Sequence, residues 1–229
     1  MHANIQAIQF PLSSSEADLR ALLSPYRFTV CEDEAAAARA IGVRRQAEMQ
    51  GADVVDEHDA RSWLLIAENA ATGEAVGTLR VTTRLLGLLA AEARHTLPAD
   101  LALPKCFELS RFAVLPTDRG ARSAVALGLW KLAYEFCLWM GSECQVACPD
   151  ADDARAYTAI GFRPVRGSDE LLSHDFRRAG TGLRANPFRA LFCELDLAEV
   201  TLPSRTPLVG LATSSDINHA SSYRIAVGA

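Results

Sequence analysis

Lysine is almost missing from this sequence: Lys105 and Lys131 stand alone, and every other basic side chain is arginine. A mechanism built on a lysine Schiff base therefore has few candidates. Arginine stays charged and its planar fork suits carboxylate or phosphate contacts. No apolar run reaches about eighteen residues, so no membrane span is expected. Residues 1–10 lack a basic patch followed by an apolar stretch, so no secretory signal is expected and cytoplasmic residence is the expectation. The six cysteines (Cys31, Cys106, Cys137, Cys144, Cys148 and Cys193) contain no Cys-x-x-Cys pair. Cys144 and Cys148 have no histidine nearby to complete a zinc site, so the thiols are read as reduced and buried, and no metal is expected. The five histidines are scattered, and there is no nucleophile elbow, no Walker loop and no His-Glu-x-x-His. A net charge of −5 argues against wholesale nucleic-acid binding.

What is present is an ordinary globular composition: 229 residues, 49% hydrophobic and 22% charged, enough for one core. A weak helix is expected over residues 16–23, capped from residues 13–15, and a strand over 26–32. An Ala-, Arg- and Glu-rich helix should follow over 35–50. Residues 63–68 and 75–83 read as a hairpin around a loop at 69–74. A short helix is expected over 85–93 and a strand over 107–115. The longest helix is expected over 123–140, where Val125, Leu129, Leu132 and Phe136 keep the helical period and Gly141 ends it. A strand over 143–148, a helix from the Asp150 cap to Ala159, and strands over 162–165 and 190–197 complete the reading. That order predicts one α/β (α+β) domain, a mixed twisted sheet flanked by helices, over residues 1–199. Residues 200–229, rich in Ser, Thr, Pro and Gly, are expected to be an extension or tail.

Three segments carry a more specific signal. Asp56-Glu57-His58-Asp59 precedes the strand that begins at Trp63. Gly77-Thr78-Leu79-Arg80 lies on the next strand. Glu108-Leu109-Ser110-Arg111-Phe112-Ala113-Val114 lies on a third. In this order they resemble the acyl-homoserine-lactone synthases (the autoinducer-synthase family) and the long-chain N-acyl amino acid synthases, over roughly residues 27–165. The resemblance implies a fold like that of the GNAT N-acetyltransferases, and Tyr157-Thr158-Ala159-Ile160-Gly161-Phe162 looks like the helix-to-strand ending of that superfamily. It implies an N-acyltransferase that takes an acyl group from a thioester, on acyl carrier protein or CoA, to the amine of an amino-acid-type acceptor. The product would be an N-acyl amino acid or an acyl-homoserine lactone, and no tightly bound cofactor is expected. Autoinducer synthases carry aromatic residues ahead of the acidic pair to enclose S-adenosylmethionine. Residues 44–55 contain none, which leaves a plain amino acid open as acceptor.

Thioester aminolysis needs a neutral amine, and an α-amine with a pKa of about 8 needs only modest help near neutrality. Glu108 is the candidate base, acting through water, with Arg111 as its catalytic partner. A backbone N–H between Phe112 and Val114 would stabilise the oxyanion. Asp56, Asp59, Arg80, Ser110, Phe112 and Val114 are the candidate acceptor-binding residues. Strand parity sets Glu108 and Arg111 on opposite faces, and a β-bulge near Leu109 or Ser110, such as the related folds carry, would bring them together. Arg44 or Arg45 matches an N-terminal arginine of the family, and both are read as a solvated helix face.

For the donor, Asp118-Arg119-Gly120-Ala121-Arg122-Ser123 stands where acetyl-CoA enzymes have a Gly-rich phosphate turn. Arg119 and Arg122 are the candidate phosphate contacts, but a single glycine favours a carrier-protein donor. Six arginines against three acids over residues 163–189 offer a docking face for an acidic carrier protein, with scattered surface arginines as the preferred reading. Residues 85–91 and the helix at Ser123 are read mainly as core rather than as an acyl tunnel. Two further readings stay open: a conventional acetyl-CoA-dependent N-acetyltransferase, and a non-catalytic GNAT-like module that binds acyl ligands or a partner protein.

Overall fold

A computed structural model describes residues 15–47, 54–115, 118–168, 170–176 and 200–201. The elements in chain order are α1 (Glu16–Leu23), β1 (Tyr26–Val30), α2 (Glu34–Ala47), β2 (Ser62–Asn69), β3 (Ala75–Thr83), β4 (Cys106–Val114), α3 (Arg119–Trp139), β5 (Cys144–Ala147), α4 (Ala151–Ala159), β6 (Arg163–Pro164), β7 (Leu172–Asp175) and β8 (Val200–Thr201). The strands form one sheet of eight in the order β6-β7-β5-β4-β3-β2-β1-β8. Neighbours pair antiparallel except β4 with β5 and β1 with β8. This is the expected mixed sheet with helices on its faces. A parallel pair needs a crossover, and α3 supplies it between β4 and β5.

Local chemistry explains most element ends. Ser15 and Asp18 form a reciprocal cap on α1, Ser15 Oγ taking the Asp18 N–H at 3.2 Å and Asp18 taking the Ser15 N–H at 3.0 Å; such a cap contributes about 1 kcal/mol. Asp150 caps α4 through the Asp153 N–H at 2.9 Å. In the hairpin loop Asn69 Oδ1 accepts from Ala71 and Thr72. Gly141, at φ 71°, stops α3 in the left-handed conformation that glycine adopts without strain.

Three expectations need correction or supplement. Residues 85–93 are not a helix. They make two short 3-10 turns, Arg84–Leu86 and Ala90–Ala93, because Gly87 between them sits at φ 130°, outside helical space. The strand β7, Leu-Ser-His-Asp, had no expectation attached to it. It alternates buried and half-buried residues, but is too short and polar for propensity to show. The strand expected over 190–197 lies outside the described residues, as does Cys193. Val200 and Thr201 add β8 to the sheet by pairing with Phe28 and Thr29.

The two faces of the sheet differ. One carries the main core: Trp63, Leu65, Leu79, Val81, Phe107 and Leu109 pack under Val125, Leu129, Leu132 and Phe136 of α3, with Leu19 and Leu23 of α1 beside them. Each such side chain stabilises by about 2 kcal/mol when fully buried. On the other face, α2 covers Leu64 and Ile66 with Ala37, Ala40 and Ile41. Toward β5, residues of the 89–101 connection cover Cys106, Cys144 and Val146. Between these two apolar patches the same face is polar: Thr78, Arg80, Thr82 and Glu108 are all buried there.

Candidate active site

The polar strip is organised by a defect in β4. Thr78 pairs with Ala113 and Arg80 with Ser110, so Arg111 and Phe112 together oppose Leu79. This is a β-bulge, one step later than expected. Its mark is Arg111 at φ 52°, the one non-glycine residue with positive φ among those described. The left-handed conformation costs an L-residue about 1–2 kcal/mol, and a bulge reverses the facing of the residues beyond it. Arg111 therefore joins Glu108 and Ser110 on the polar face. Phe112 turns to the helix face and stacks on Trp130 at 5.1 Å between ring centroids. Val114 is buried in the main core.

Arg111 is tied in place by Asp56, whose Oδ2 accepts from its Nε at 3.1 Å and Nη2 at 2.7 Å. Asp56 Oδ1 takes Arg80 Nη1 at 2.5 Å, and Arg80 Nε reaches Ser110 Oγ at 3.0 Å. The Asp56-x-x-Asp59 spacing works because the Asp59 N–H bonds the Asp56 carbonyl at 3.0 Å, closing a four-residue turn that brings the two ends together. Asp59 Oδ2 accepts the Asp56 N–H at 2.9 Å, which orients that loop, and Asp59 Oδ1 lies 3.3 Å from Arg80 Nη1. Burial alone would push the Asp56 carboxyl up. Hydrogen bonds and charge from Arg80 and Arg111 overcome this and hold it well below the ordinary aspartate range. Burial, then the Arg61 charge, lowers His58 below the ordinary imidazole range.

Arg44 corrects the reading of α2. It is not solvated: it is fully buried, and its Nη1 bonds Asp59 Oδ1 at 2.8 Å. Its Nε and Nη2 have no hydrogen-bond partner among the described residues. The signal was in the spacing, because Ala37, Ala40, Ile41 and Arg44 fall on one helical stripe. Arg45, one position on, is exposed.

Glu108 closes the cluster on the β5 side and is 3% exposed. Burial raises its pKa, opposed by the Ala91 N–H, the Arg80 charge and the Ala90 amide. The open end of the cluster is Arg111 and Asp56, whose side chains are 25% and 23% exposed. This end lies where the sheet parts: β4 pairs with β5 only over residues 106–109, and residues 110–114 continue beyond that register.

Of the candidate donor contacts, Arg122 reaches back to the Val114 carbonyl at 3.5 Å, and the Arg119 side chain lies outside the described part. Asp118 caps α3, accepting the Ala121 N–H at 3.0 Å, so a carboxylate sits where a phosphate cradle would need positive charge. Tyr157 is sealed against Trp130, and burial raises its pKa. Arg163 and Arg166 are exposed, and the four arginines at 177, 178, 184 and 189 lie outside the described residues. Among the described residues no His, Cys, Asp and Glu group is arranged to hold a metal ion, and no helix is long and apolar enough to cross a membrane.

No protein-family model and no curated protein sequence matches the chain. Solved structures do. BjaI, a CoA-dependent acyl-homoserine lactone synthase with SAM and isopentyl-CoA, matches at a TM-score of 0.56 and 15% identity, over 85% of this chain and 98% of its own. TofI, in a ternary complex with an inhibitor and MTA, matches at 0.51 and 19%, over 76% of this chain and 99% of its own. MesI, another CoA-dependent acyl-homoserine lactone synthase, matches at 0.50 and 18%, over 76% and 99%. At these identities the likeness establishes the fold, and the expected resemblance is borne out at that level.

Proposed function

We propose that this protein is a cytoplasmic N-acyltransferase. It moves an acyl group from a thioester, on acyl carrier protein or CoA, to the amine of an amino-acid-type acceptor, giving an N-acyl amino acid or an acyl-homoserine lactone. The observation that carries the reading is the bulge at Arg111, which puts an arginine–aspartate cluster beside Glu108 where β4 leaves β5. An acceptor carrying an amine and a carboxylate finds both complementary charges there, in Asp56 and Arg111. Asp59, Arg80 and Ser110 hold those two groups in place.

In this reading the amine attacks the thioester carbonyl and Glu108 takes its proton through a water. Burial suits Glu108 to that task, since a carboxylate with raised pKa is a stronger base. Backbone N–H groups between Phe112 and Val114 face the developing oxyanion, and the thiolate leaves. Phe112 and Val114 serve through their backbone, their side chains being committed to the core. The Asp118 cap favours a carrier-protein arm over the CoA pyrophosphate, while BjaI and MesI, which share the fold, are named as CoA-dependent. Arg119 and Arg122 remain the candidate donor contacts. We assign residues 1–199 to the transferase domain and 200–229 to an extension whose first residues edge the sheet.

The test is mass spectrometry of extracts from cells overproducing the protein, followed by assay of the purified chain with matched acyl-CoA and acyl-carrier-protein donors against amino acids and S-adenosylmethionine. A new long-chain N-acyl species that vanishes in Glu108→Gln supports the reading. Acetyl transfer alone would replace it with a conventional acetyltransferase. No acyl transfer from any donor would leave a binding module.

A further inference from the structure

Glu108 is gripped by a segment that the reaction scheme leaves idle. Between β3 and β4 the turn Ala90–Ala93 lies across the polar face and brings the Ala91 N–H to Glu108 Oε2 at 3.3 Å. The Ala90 amide adds to the same carboxylate. Such short 3-10 turns hold few bonds of their own, so the position of these amides depends on fastenings from outside. Arg84 Nε bonds both Glu92 oxygens, at 3.1 and 3.3 Å, and Arg84 Nη1 bonds the Ala102 carbonyl at 3.0 Å. Glu92 Oε2 in turn accepts the Leu89 N–H at 2.9 Å. Arg61 donates to the Leu88 carbonyl and lies under Gly87, where an added Cβ would meet its Nη1 at 2.8 Å. Leu89 and Ala91 are buried in the apolar patch with Leu97, Leu101 and Val146.

We propose that residues 84–93 are a clamp that aims the Glu108 carboxylate, with the Ala91 amide as its jaw and the Arg84–Glu92 pair as its latch. This rests on the reading of Glu108 as the proton acceptor. Holding one carboxylate oxygen fixes the plane of the group. An N–H at an ionised carboxylate also stabilises the anion, more so away from water. The clamp thus limits how far burial raises the group. Among the described residues, the other groups facing Glu108 are Arg80 on β3, Asp56 from the loop before Asp59, Cys106 on its own strand and Cys148 after β5. Of these only Arg80 also favours the anion. Arg84 and Glu92 are therefore positioning residues that act through Ala91.

The experiment is a carbon-13 NMR titration of Glu108 in the full chain, assigned with Glu108→Gln. It is run on the wild type, Glu92→Gln, Arg84→Ala and Arg84→Lys, together with pH–rate profiles and melting curves. The latch pair is partly exposed, and Glu92→Gln keeps its shape, so that variant is expected to fold. Losing the latch should raise the Glu108 midpoint by about one pH unit and lower kcat about fivefold, with KM little changed. Arg84→Lys should recover most of both. A midpoint that stays at the wild-type value in Glu92→Gln and Arg84→Ala, whatever happens to the melting temperature, overturns the clamp. The titration needs no turnover. A chain that shows the shift but forms no N-acyl product would keep the clamp and refute the function.

Discussion

Arg44 and Asp59 are both sealed from water, and removing one partner of such a pair strands the other charge. Arg44→Met is expected to cost about 3 kcal/mol in urea unfolding. The same change at exposed Arg45 should stay within about 0.5 kcal/mol. Equal effects at the two positions would mean that α2 does not turn Arg44 inward. Asp56 supplies a pH test. Its folded pKa lies below the unfolded value, so ionised Asp56 stabilises the fold above about pH 4, and this is lost as pH falls toward the depressed folded value. Asp56→Asn should therefore cost about 2 kcal/mol at pH 7, and the gap to wild type should close as the solution is acidified. Stability curves from pH 7 down to pH 3 check this, and a gap independent of pH would remove the ionic account.

Within single elements, backbone geometry does most of the placing. The strand β4 carries Glu108, Ser110 and Arg111: alternation puts the first two on one face, and the bulge adds Arg111 to them. The local string Glu-Leu-Ser-Arg-Phe contains no glycine to announce a left-handed residue. In that conformation the Arg111 guanidinium meets Asp56, far away in sequence. The long helix α3 depends on a different detail. Gly128 lets the Phe28 ring of β1 lie against the helix, where an added Cβ would come within 2.0 Å of the ring. Gly128→Ala should cost about 2 kcal/mol by overpacking, and Phe28→Leu should recover part of it. Chemical unfolding of the two single variants and the pair gives the coupling, and strictly additive losses would show that the ring and the helix do not meet there.

Across the whole molecule, the sheet separates two tasks. Its α1/α3 face is continuous core, so the opposite face can hold Arg44, Asp59, Arg80 and Glu108 between two apolar patches without losing the fold. At the far edge, β8 covers β1. A chain ending at residue 199 loses that partner, and amide exchange at Phe28 and Thr29 should rise about tenfold, with the melting temperature falling by a few degrees. Unchanged exchange on β1 would leave residues 200–201 without a role in the sheet.

Sequence alone was enough for the elements whose cause is local: the Ser15 and Asp150 caps, the Asn69 loop, the apolar period of α3 and its end at Gly141. It also singled out Asp56, Asp59, Arg80, Glu108, Ser110 and Arg111, because the three segments that carry them resemble, in their order, those of the acyl-homoserine-lactone synthases. Tertiary structure decided what those residues do to one another. It buried Arg44 on Asp59, turned Phe112 away from Glu108 and Arg111 toward it, and set residues 84–93 over the carboxylate. Those outcomes depend on contacts between segments distant in the chain, and a guanidinium or a carboxylate has no preferred partner until folding has chosen which neighbours exclude water around it.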